Sequence, residues 1–219
     1  MTIVKFLPSY QRIQQALQWW SSRQSTKLFV EAEKIRDDLL QETFTIRRHL
    51  DVLTSNNLNL SNHQTQDYLR QIDNFHHSLV QLSNRLFPES LPDSFPLAIQ
   101  CLIEPWLVVN PHLYFHLDLP VYWRQEQAFH SLTVLSILDE LLTINLSNII
   151  TSITIYISLK QQKNQGQLKI QINYPDITSF MCHTNSTELK YICDTFQFLT
   201  SGRCFYRVSH CQIIWHLSW

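Results

Sequence analysis

From Leu28 onward the apolar residues recur in alternating steps of four and three: Leu28, Ala32, Ile35, Leu39, then, past a polar interruption at Glu42 and Thr43, Ile46, Leu50 and Leu53. That spacing lays one narrow apolar seam along an α-helix. Tyr68, Ile72, Phe75, Leu79, Leu82 and Leu86 repeat the pattern until Phe87-Pro88 ends it. The polar, turn-prone tract TSNNLNLSNHQTQ (54–66) between them reads as the bend of a helical hairpin, with arms over about 26–55 and 66–87. One hairpin cannot cover both of its own seams. The pattern therefore predicts a two-fold homodimer through a four-helix bundle, with Leu39, Ile46, Ile72, Phe75, Leu79 and Leu82 buried between chains.

Prolines 88, 92, 96, 105, 111 and 120 mark a boundary, within which 96–109 reads as a short helix. Beyond it the period switches between two and three-to-four. HLYFHLDL (112–119) is a strand, 124–147 a long helix, and SITIYISL (152–159) and QLKIQINY (167–174) a hairpin turned by QQKNQG. A helix over 187–199 and a closing hairpin, 204–208 with 211–217, complete the chain. The expected fold is α+β, an antiparallel sheet with helices segregated to one face. Three segments follow: a short amphipathic helix in 1–25, the hairpin in 26–90, and an α/β sandwich in 91–219. In the first, Ile13, Ala16, Leu17, Trp19 and Trp20 form an apolar face that either packs on the dimer or docks a partner. The same segment is too short for a sensor domain.

Glycine changes the functional picture most. Gly166 and Gly202 are the only two in 219 residues, which excludes phosphate-cradling glycine loops and dinucleotide-binding glycine fingerprints. A net charge of -1, from 17 Lys+Arg against 18 Asp+Glu, leaves no basic excess for nucleic acid. Apolar runs are broken by Glu104, Pro105 and Pro111 and the start carries Lys5 and Pro8, so neither a membrane span nor a secretory signal is expected, and the location expected is cytoplasmic. Five cysteines without a CxxC pair point to reduced, mostly buried thiols. His76 and His77 point about 100° apart on a helix and His112 and His116 lack a third ligand, so no metal site is expected.

The order of elements resembles the core of sensor histidine kinases, a dimerising phosphotransfer hairpin followed by a Bergerat-type (GHKL) ATPase domain. Residues 31–50, EAEKIRDDLLQETFTIRRHL, look like the first hairpin helix of the subfamily paired with response regulators of the LuxR output type. That subfamily's motif is a phosphorylatable His, then Asp, then Gln four residues further on. Asp37 and Gln41 stand at the last two places and Arg36 stands where the histidine belongs; His49 is the alternative acceptor if the register differs. The tract 79–106 is similar to the end of the family's second helix and the helix after it.

In the ATPase half, LDELLTINLSNI (138–149) resembles the helix that carries a Glu and, four residues later, a magnesium-holding Asn. Glu140 is kept, Ile144 occupies the Asn place, and Asn145 is turned away by one residue. Asp176, in NYPDITSF, is a displaced relic of the acidic residue that contacts adenine, and neither glycine-rich box is present. The resemblance, with these losses, implies a pseudokinase without cofactor. Such a homodimer would bind a response regulator or a related kinase. A phosphatase acting through Gln41 beside Asp37 is the alternative, and a divergent active kinase a third.

Overall fold

A computed structural model describes residues 3–55, 62–86, 90–91, 94–146, 151–162, 164–175 and 187–219. Two compact units emerge, Ser22–Pro88 and Met1–Ser21 together with Glu89–Trp219.

Within Ser22–Pro88, the later part of α1 (Ile3–Lys34) passes through a π-helical turn, Ile35–Leu39, into α2 (Leu40–Ser55), and α3 (Asn62–Leu86) packs back along α2 and the π turn. The Leu40 N–H reaches the Ile35 carbonyl, so one extra residue is accommodated and the seam changes phase there. The polar interruption in the sequence, at Glu42 and Thr43, follows directly. His49 Nδ1 donates to Gln71 Oε1 at 2.9 Å and its ring lies 5.4 Å from that of Tyr68, which ties the two arms together.

The second unit is a mixed five-stranded sheet in the order β1-β2-β3-β5-β4, where β1 is Leu113–Asp118, β2 Ile153–Gln162, β3 Gln165–Asn173, β4 Arg203–Ser209 and β5 Gln212–Ser218. The expected all-antiparallel sheet is corrected at one edge. β1 runs parallel to β2, Leu113 opposite Ile153, because α5 (Ala128–Leu146) makes the crossover between them; the remaining pairs are antiparallel. The β2–β3 turn is also tighter than QQKNQG suggests, since Gln162 pairs with Gln165.

Strict alternation puts Ile153, Ile155, Ile157 and Leu159 of β2, Leu168, Ile170 and Ile172 of β3, and Ile213, Trp215 and Leu217 of β5 on one face, all buried. Over that face lie α4 (Phe95–Val109), α5 and α6 (Thr187–Thr200), contributing Ile99 and Ile103, Ile137, Leu138 and Leu141, and Leu189, Ile192 and Phe196. Helix α5 has the length and composition of a membrane span, yet most of it is buried inside this core.

Two details set the corners of the sheet. His210 and Cys211 both adopt positive φ (42° and 60°), the conformation of a two-residue turn whose twist suits the β4–β5 hairpin. At Gly166 a Cβ would sit 2.8 Å from the Trp219 ring, so the hairpin can approach the C-terminal Trp219 only as glycine, and their backbones pair at 2.8 and 3.1 Å. Around this point Phe95, Trp123, Trp219 and Phe196 pack ring against ring, and Glu126 Oε2 accepts from Trp219 Nε1 at 2.9 Å.

The amphipathic helix expected in 1–25 does not stop there; α1 runs unbroken from Ile3 to Lys34. Its first half lies on α6. Ala16 is fully buried with its carbonyl 3.4 Å from Thr195 Oγ1, Arg12 Nε meets Asp194 Oδ2 at 2.9 Å, and the Trp19 ring lies 5.9 Å from Tyr191.

Candidate functional site

The positions the sequence assigns to a nucleotide fall on the last turns of α5. Glu140 is wholly enclosed, and Ile144 is buried as well. Asn145, one residue on, has no solvent access. Its Nδ2 donates back to the Leu141 carbonyl at 2.8 Å, while the Tyr174 hydroxyl donates to the Asn145 carbonyl at 3.2 Å and approaches its Oδ1 at 3.4 Å. Burial pushes the Tyr174 phenol above its ordinary range, which keeps it a hydrogen-bond donor. The amide nearest the expected metal position is thus satisfied inside the core, and an isoleucine holds the position itself. These residues do not fit a magnesium-nucleotide. Asp176 lies outside the described residues, as does the rest of 176–186, the part shared by the two tracts where glycine-rich boxes would fall. Among the described residues no cluster of three or more His, Cys, Asp or Glu is placed for a metal.

On the hairpin, Asp37 lies within the π turn and Gln41 just after it, both exposed. The Gln41 carbonyl accepts from Thr45 Oγ1 at 2.9 Å, an ordinary helix contact that leaves the side-chain amide out of the bond. The side chain of Arg36 lies outside the described residues. Of the seam residues, Leu39 is already buried within one chain, Ile46, Phe75 and Leu82 are partly covered, and Ile72 (47%) and Leu79 (40%) are exposed. His76 and His77 are both exposed.

Sequence reasoning missed the open face of the sheet, opposite the helices. Register aligns Asp118, Ser158, Lys169, His216 and Phe205 in one row across all five strands. His116 stacks on Tyr156 (4.6 Å, 12°), Phe205 on His216 (4.9 Å, 18°), and Arg207 lies 5.8 Å above Phe205. Asp118 accepts from Ser158 Oγ at 2.9 Å and pairs with Lys160 at 3.6 Å. A shallow depression of about 380 Å³ opens between His116, Asp118, Tyr156, Ser158, Lys169 and Gln171. Burial, then the charges of Lys169 and Arg207, hold His216 below its ordinary value. The signal was in the sequence, as polar and aromatic residues at alternate strand positions, but strand order was needed to bring them together.

No known protein family's sequence profile matches the chain. No curated protein matches it in sequence either. Solved structures similar to the chain include histidine kinases. AdeS of Acinetobacter baumannii has a TM-score of 0.42 at 15% identity, over 83% of this chain and 95% of AdeS. A histidine kinase of Burkholderia phymatum STM815 has 0.44 at 11%, over 82% and 94%. The histidine kinase ThkA, crystallised in complex with the response regulator protein TrrA, has 0.44 at 10%, over 96% of this chain and 65% of ThkA. At such values no residue role is carried from one chain to the other.

Proposed function

We propose that the protein is a non-catalytic, histidine-kinase-like homodimer that binds a response regulator or a related kinase and modulates its phosphorylation. The observation that supports this most is the state of α5. Ile144 stands where the resemblance expects the metal-holding amide and Asn145 is spent on Leu141 and Tyr174, so on this reading magnesium finds no amide there to neutralise a triphosphate. Arg36 cannot replace a phosphoacceptor histidine, because guanidinium stays protonated and is no nucleophile.

A second reading is favoured by one specific observation, the exposure of Gln41 and Asp37 together. An exposed amide can orient water against an aspartyl phosphate on a bound regulator, which brings its own magnesium and leaving carboxylate. The test isolates the regulator from the native cell by pull-down, phosphorylates it chemically and follows phosphate loss with and without the protein. Binding without accelerated loss supports the non-catalytic reading. Acceleration that Gln41→Ala abolishes while binding persists supports the phosphatase. Autophosphorylation from ATP would overturn both.

A further inference from the structure

Helix α6 is gripped on two sides. Tyr191, Asp194 and Thr195 meet α1, whereas Cys193 and Gln197, one helical turn apart on a common face, meet β4. Cys204 Sγ lies 3.4 Å from Cys193 Sγ, and Gln197 Nε2 donates to the Cys204 carbonyl at 2.9 Å. The connection between helix and strand is equally fixed. Thr200 Oγ1 donates to the Phe196 carbonyl at 2.7 Å and accepts from the Gly202 N–H at 3.1 Å, and a Cβ at Gly202 would run into the Ser218 carbonyl. Cys204 is buried and Cys193 partly exposed. Contact with Cys193 and burial both raise the Cys204 thiol well above its ordinary value, which leaves Cys193 as the thiol open to solvent reagents.

We propose that Cys193 and Cys204 are an oxidative modification site whose reagent is a hydroperoxide and whose product is an intramolecular disulfide stapling α6 to β4. The Cys193 thiol gives up its proton, the thiolate attacks the terminal peroxide oxygen to form an S–O bond as the O–O bond breaks, and the leaving oxygen takes up that proton, departing as water when the reagent is hydrogen peroxide. The Cys204 sulfur then attacks the Cys193 sulfenic acid, the S–O bond breaks, and the departing hydroxide takes the Cys204 proton to leave as a second water. Two electrons pass from the thiol pair to the peroxide. The two sulfurs start 3.4 Å apart, and the Gln197 hydrogen bond to the Cys204 carbonyl holds the strand against the helix. The sequence expectation of reduced, mostly buried thiols is corrected, since among the described cysteines only Cys204 is buried, and it did not bring out the pair, since a helix residue and a strand residue are brought together only by the corner between them.

The test exposes the reduced full-length protein, without denaturant, to equimolar hydrogen peroxide, blocks remaining thiols with N-ethylmaleimide and maps tryptic peptides. Cleavage after Lys190, Arg203 and Arg207 separates the two cysteines into YICDTFQFLTSGR and CFYR, so the link joins two peptides directly. The expected result is that linked pair, lighter by two hydrogens than its parts, with exposed Cys101 still labelled and links to Cys101 at least about ten-fold rarer. Dithiothreitol should restore both labels. In Cys204→Ser the sulfenic acid should persist on Cys193 and be captured by dimedone. Labelling of Cys193 and Cys204 after Cys101 has been consumed, or a link between two chains in place of the internal one, overturns the proposal.

Discussion

Asn145 and Tyr174 show how one residue of phase decides a site. On a helix, moving from position 144 to 145 turns a side chain by about 100°, and at 145 the amide has no access to solvent. The core then satisfies it, through Leu141 and the Tyr174 hydroxyl. Tyr174→Phe removes that donor and leaves the Asn145 oxygens short of a partner in a dry setting. It should cost about 1–3 kcal/mol, read as a lowered midpoint of denaturant unfolding with unchanged slope. His216 gives the matching statement in pH. Its folded value is depressed below 6.5 by burial, Lys169 and Arg207, so the unfolded chain takes the proton first as pH falls. Its stabilising contribution is complete above the ordinary histidine value and is lost as pH falls through the depressed one. His216→Gln should flatten that part of the stability curve, visible as a smaller difference in Tm between pH 7.5 and pH 5.

At the scale of elements, the central strands follow from a period the sequence displays, because each buries one face and exposes the other. ITIYISL and LKIQI alternate, and their alternate residues are the buried ones. What the sequence leaves hidden is how elements meet. Parallel pairing of β1 with β2 depends on the α5 crossover, not on any residue in β1. The continuity of α1 past residue 25 escapes a reading that looks for breaks in pattern, since Leu28 begins a new seam on a helix that never stops. The π turn is visible only as the interruption after Leu39. Of the candidate site, only the identity of Ile144, at the place where the resemblance expects an amide, was legible. The burial of Asn145, the aromatic row on the open sheet and the Cys193–Cys204 pair were not, because each joins residues from different elements.

For the whole molecule, the hairpin's unmatched apolar surface is the main fact. Leu28, Phe29, Leu40, Phe44, Leu50, Leu69, Ile72 and Leu79 are all exposed on the unit Ser22–Pro88. A leucine fully desolvated contributes about 1.5–3 kcal/mol, so covering part of this set is the gain on which the proposed homodimer rests. Light scattering should give twice the chain mass of 26.0 kDa, and Leu79→Asp should return it to a single chain mass. A monodisperse 26.0 kDa species for the unchanged protein would remove the homodimer.

The most direct measurement of the central claim concerns α5 and the nucleotide it is proposed to have lost. Isothermal titration calorimetry of the full-length protein with magnesium and ATP should give no binding heat at a dissociation constant of about 0.1 mM or tighter. A constant at or below that value, about 5.5 kcal/mol of binding, would mean that the chain holds magnesium-nucleotide without the amide at position 144, and the non-catalytic account would be contradicted.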